Sequence, residues 1–155
     1  MQFINYFLVS IMSYFGLLIG VILIKIAPEE QKPLNKYFQI AKKALLALIF
    51  VFLMLFYYNN WFFVLVSTAY IVLLLVIDFN GKDELKKLTV CYTTFGFIFY
   101  LSSKNLNFSA IESSLILLYG MPAASLTYNK KEKNQFKIFF CTIGFLIISN
   151  LLYLI

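Results

Sequence analysis

The sequence holds no histidine and no arginine, and only two cysteines, three prolines and seven acids among its 155 residues. Each scarcity removes a chemistry. Without imidazole there is no Ser/His or Cys/His nucleophile system and no histidine-ligated metal, and two thiols alone do not complete a zinc shell. No glycine-rich phosphate loop appears. No cofactor is implied, and enzyme readings are the weakest of those open to the chain.

Charge is scarce as well: 13% of residues are charged while 62% are hydrophobic. A soluble domain of this size is far less apolar, so lipid is the expected solvent. Crossing a bilayer takes about 20 mostly apolar residues, because the hydrocarbon core is about 30 Å thick and a helix rises about 1.5 Å per residue. Six segments qualify: residues 3–26, 37–58, 61–77, 88–103, 109–128 and 138–155. The second and third are separated by argument, since residues 44–77 carry no charge. As one helix they would extend about 51 Å, so the chain must reverse, and Tyr57-Tyr58-Asn59-Asn60-Trp61 offers the turn-forming amides and interfacial aromatics to do it.

Lysine placement tests this map independently. Twelve of the thirteen lysines fall in three alternate loops or their helix ends, and only Lys104 lies on the other side. By the positive-inside rule those loops are cytoplasmic and both termini lie outside. The expected fold is therefore an all-α integral membrane protein with six transmembrane helices in three hairpins, a single domain in the cell membrane. Six of the seven acids share the cytoplasmic loops with the twelve lysines, and the formal net charge of +6 resides there. It fits contact with anionic lipid headgroups at the loops rather than nucleic acid, which would need a basic face on a soluble element. The N-terminal MQFINYF has no basic region ahead of its apolar run, so the first segment reads as an uncleaved helix.

Two small-residue seams stand out. In the first segment Ser13, Gly16 and Gly20 share a face; in the fifth, Ser113, Gly120, Ala124 and Thr127 do. Small residues let backbones approach in lipid, where hydrophobicity alone does not drive helices together. Segments one and five are expected to pack in parallel.

Candidate pathway or ligand-binding residues lie in the fifth segment: Glu112, Leu118, Tyr119, Pro122 and Ser125. An acid within a span is a functional candidate by default. Against that, Ser109-Ala-Ile-Glu112 has the form of a capping box, in which the serine caps the helix and the glutamate returns to the cap's N–H, and this is the favoured expectation. Pro122 frees the Leu118 carbonyl and is expected to kink the helix; the freed carbonyl could line a polar pathway, as in the discontinuous helices of transporters, but a packed kink whose carbonyl is satisfied by a neighbouring Ser, Thr or water is the favoured expectation. IAPEEQKP (26–33) predicts a short interfacial turn begun by Pro28 and interrupted by Pro33. Asp78, Asn80, Asp83 and Glu84 are weak candidates for a hard cation, since their spacing fails the calcium-loop pattern.

Three segments per half give halves of opposite orientation, the arrangement of inverted-repeat transporters. A transport-type protein moving a small solute is the first functional expectation. The second is a non-catalytic scaffold or accessory subunit, held to a membrane partner or a second copy through its seams. A membrane-embedded lipid-modifying enzyme is third.

Overall fold

The computed structural model describes residues 2–80, 83–128 and 135–155, and they are helix and turn throughout. The elements are α1 (Phe3–Ile26), a 3₁₀ turn (Pro28–Glu30), α2 (Gln31–Phe56), α3 (Trp61–Asn80), α4 (Glu84–Ser102), α5 (Leu106–Thr127), α6 (Gln135–Thr142) and α7 (Gly144–Leu154). Among the described residues four stretches are long and apolar enough to cross a membrane: Phe3–Ile26, Pro33–Phe56, Leu106–Thr127 and Phe136–Leu154, the last covering α6 and α7.

α1 and α5 form the tightest pair. A methyl group on Gly16 would collide with the Leu117 carbonyl, and one on Gly20 with the Met121 carbonyl and Ala124. From the other side, a Cβ on Gly120 would lie 2.7 Å from the Gly16 carbonyl carbon. Contact positions rise together along both helices, so the pair is parallel. Ser125 Oγ donates across it to the Gly20 carbonyl at 3.2 Å. Of the other seam residues, Ser13 and Thr127 are buried and bond their own helix, at Val9 and Ala123, whereas Ser113 is half-buried and bonds Ala110.

On its other flank α1 meets the last two helices through polar contacts. Tyr6 donates to the Ser149 carbonyl at 3.1 Å, Asn150 to Ser10 Oγ at 3.2 Å, and Tyr14 to the Phe139 carbonyl at 2.8 Å. Rising numbers on α1 meet falling ones on α6 and α7, so this packing is antiparallel. The segment expected over residues 138–155 is present as Phe136–Leu154, with a local irregularity at Ile143 between α6 and α7. Beside it Thr142 Oγ1 donates to the Ile138 and Phe139 carbonyls, and Tyr14 also donates to the latter.

α4 is the least apolar of the long helices because much of its surface meets protein. Tyr92, Phe95 and Phe99 are fully buried, in ring contact with Tyr119, Tyr6 and Phe145. Gly96 lets α7 approach, a Cβ there lying 3.0 Å from the Phe145 carbonyl oxygen. Its 19 residues still extend about 28 Å, close to the hydrocarbon thickness.

Two local expectations are corrected. Pro33 does not interrupt the chain: it lies in the first turn of α2, where an N–H has no intrahelical partner and proline costs nothing. Ser109 and Glu112 do not form a capping box. α5 begins three residues earlier than expected, with Asn105 as N-cap accepting from the N–H groups of Asn107 and Phe108. The Ser109 N–H already bonds the Asn105 carbonyl at 2.9 Å, which puts Glu112 in the second turn.

Candidate functional site

At the end where α4 begins and α5 finishes, α2 and α4 meet through a carboxylate. Glu84 heads the first turn of α4. Its Oε2 lies 3.2 Å from Lys42 Nζ on α2, and its Oε1 lies 3.0 Å from Lys87 Nζ one turn on. The environments of neighbouring lysines differ sharply. The Lys86 side chain is 84% exposed and pairs with Asp83 at 3.2 Å, whereas the side chain of Lys87 is 9% exposed and that of Lys42 is 11%. A lysine on a solvated corner resembles Lys86; Lys42 and Lys87 are built into the protein. Partial burial acts to raise the Glu84 carboxyl, but the Lys42 and Lys87 ammoniums more than offset it and hold the group below its ordinary value.

These side chains line a polar chamber of about 260 Å³ with Asn35, Gln39, Lys43 and Leu126. Lys42, Lys43 and Lys87 also border a second cavity of about 130 Å³, whose remaining walls are Leu46, Ala47, Phe50, Ile71, Leu74, Cys91 and Tyr119. The lysines thus form a neck between a polar mouth and an apolar chamber. Two α5 residues reach the pair, Tyr119 in the chamber and Leu126 at the mouth. They are seven positions apart, on one helix face, with Pro122 between them.

The sequence-derived candidates separate accordingly. Tyr119 lines the chamber. Pro122 is buried, and the Leu118 side chain points outward at 45% exposure. Ser125 belongs to the α1 contact. Near it Gln31 on α2 closes the end of α5, its Nε2 donating to the Ser125 and Tyr128 carbonyls at 2.8 and 3.0 Å. Glu112 lies apart, ten residues before Pro122 and about 15 Å along the helix. It has no exposed surface, and neither carboxyl oxygen has a hydrogen-bond partner among the described residues, nor has Ser109 Oγ one turn before it. Of the cation candidates, Asp83 and Glu84 are engaged by lysines, and the side chains of Asp78 and Asn80 lie outside those described. Neither cysteine is in a disulfide; Cys91 is buried in the chamber wall and Cys141 is half-buried.

Sequence reasoning missed the neck. Its signal was present as two stripes: Lys42, Leu46, Phe50 and Leu53 on α2, and Lys87, Cys91, Thr94, Ile98 and Leu101 on α4, each an apolar face ending in a lysine. What the stripes lack is any sign that they face each other.

The chain matches no known family profile, no curated protein and no solved structure, so its functional reading rests on its own residues.

Proposed function

We infer that the chain is a transport-type membrane protein that admits a small amphiphilic anion through the lysine neck into the chamber beside α5. The observation that supports this best is the pair of cavities that share Lys42, Lys43 and Lys87 as wall and meet α5 on either side of Pro122, a residue that leaves the carbonyl four positions back without its helical donor. The polar mouth selects by charge and the apolar chamber by solubility. In this reading all six segments cross the bilayer, the lysine-rich loops face the cytoplasm and both termini face outward.

The scaffold reading is weakened by the seams. The small residues that a partner helix would need are largely spent inside the chain, between α1 and α5. An enzyme would need acids converging from separate elements, and Glu84 is committed to two lysines.

The test is flux in proteoliposomes, with a short-chain fluorescent fatty acid as probe and its neutral alcohol as control. The protein should accelerate movement of the acid above empty liposomes, and Ala47→Trp, which fills the chamber, should return it to background. Flux no faster than in empty liposomes removes the reading. Orientation is tested by cysteine labelling in a variant with Cys91 and Cys141 replaced by alanine: Lys104→Cys should react from outside in intact cells, and Lys130→Cys only after permeabilisation.

A further inference from the structure

Beyond the apolar chamber, across Phe50, lies a further cavity. Phe50 forms part of the chamber wall and also borders this third cavity of about 240 Å³, lined by Tyr70, Thr94, Phe97, Ile98 and Leu101 among others. Cavity, chamber and neck lie in a row between α2, α3 and α4. From Lys87 to Leu101 the row follows fourteen residues of α4, about 21 Å, and from Lys42 to Leu53 eleven residues of α2, about 17 Å. One leaflet of hydrocarbon is about 15 Å deep. Phe97, half exposed to the bundle's surroundings, opens the far cavity sideways. A soluble anion has no use for an apolar groove of this length with a side opening.

The charge at the neck is complementary to a lipid headgroup. Lys42, Lys43 and Lys87 border both chambers, and Glu84 is shared by two of them. Among the described residues that line the two chambers, the charged groups are Lys42, Lys43, Lys87 and Glu84. We propose that the groove between α2, α3 and α4 is a discrete site for one anionic phospholipid, its phosphate at Lys42, Lys43 and Lys87 and one acyl chain passing Phe50 toward Leu101. This differs from the diffuse attraction of basic loops to a charged surface: it is one lipid, held by two nearly buried lysines and a shaped groove. It rests on the transport reading only in naming the class of molecule that would occupy the chamber.

Native mass spectrometry of the purified full chain tests it, titrating phosphatidylglycerol against phosphatidylcholine of the same acyl chains, with inorganic phosphate in a parallel arm. One phosphatidylglycerol should remain bound in preference to phosphatidylcholine. Each of Lys43→Gln and Lys87→Gln should weaken that preference about fivefold, while Lys86→Gln on the exposed neighbour leaves it unchanged. Lys43 is exposed, so Lys43→Gln supplies a reading even if Lys87→Gln does not fold. Ala47→Trp should lower retention of both lipids. Equal retention of both lipids, indifference to Lys43→Gln, or displacement of the lipid by inorganic phosphate overturns the proposal. One bound phosphatidylglycerol without probe flux in proteoliposomes supports the site and removes the transport reading; flux without lipid retention does the reverse.

Discussion

The α1–α5 seam and the groove between α2, α3 and α4 are both helix packing in an apolar chain, yet they are built on opposite rules. In the seam, backbone meets backbone: Gly16, Gly20 and Gly120 have removed the side chains, and the neighbouring carbonyls occupy the space. In the groove large side chains hold the helices apart, and cavities remain between them. Lipid solvates leucine as well as protein does, so apolar area alone does not close a helix pair. Close approach makes the seam a fixed frame, and its absence leaves the groove able to take an occupant.

The largest expected effect follows from the frame. Gly16→Leu places a side chain on the Leu117 carbonyl, and Ala124→Leu places one against Gly20; neither backbone can yield without parting the helices. Both variants should lose the monodisperse peak in detergent size-exclusion chromatography. If both retain it with the wild-type melting temperature, the contrast between the two regions fails.

How far these regions were legible in the sequence follows from the same physics. The helices themselves were legible, because hydropathy and charge act within a segment: the Tyr57–Trp61 reversal appears as a turn closed by Asn60 N–H to the Tyr57 carbonyl, 2.9 Å long. The seam was legible because glycine spacing is a local record of close approach. The α5 start was misread by three residues because two capping chemistries competed. Ser109 with Glu112 had the stronger pattern, and Asn105 won by lying at the end of the preceding turn. The lysine neck was not legible, since it joins positions 42, 84, 87, 119 and 126 of the chain. Nothing in one stripe records which other stripe it faces.

At the neck the expected effect is intermediate. Glu84→Gln leaves Lys42 and Lys87 nearly buried beside a neutral amide. Breaking a fully buried pair costs about 3–5 kcal/mol. Glu84 is 42% exposed, and screening lowers the expected loss to about 1–2 kcal/mol. The sign of the pH dependence follows from the depressed carboxyl. Its stabilising contribution is complete above the ordinary glutamate value and is lost as pH falls through the lower, folded-state value. Thermal melting in detergent across the acid range should therefore show a wild-type decline that Glu84→Gln flattens; parallel curves would falsify this assignment of the neck's charge.

A smaller effect separates the two capping chemistries at the far end of the frame. Asn105→Ala removes the acceptor of two N–H groups and should cost about 1 kcal/mol, whereas Ser109→Ala removes a hydroxyl with no partner among the described residues and should cost nothing measurable. The reverse ranking in thermal melts would restore the capping box and return Glu112 to a structural role.

The smallest effect completes the comparison, because it repeats in the groove the substitution that breaks the seam. Ala47 is exposed on α2, and its side chain borders the apolar chamber. Ala47→Leu adds volume where space already exists, and leucine is nearly as good a helix former as alanine, so stability should change by no more than about 0.5 kcal/mol. What should change is occupancy, since the added branches narrow the chamber just beyond the lysines. A melting temperature within error of wild type, together with reduced retention of phosphatidylglycerol, is the expected outcome. A loss of stability approaching that of Ala124→Leu would mean that the groove is packed as tightly as the seam and holds nothing but its own side chains.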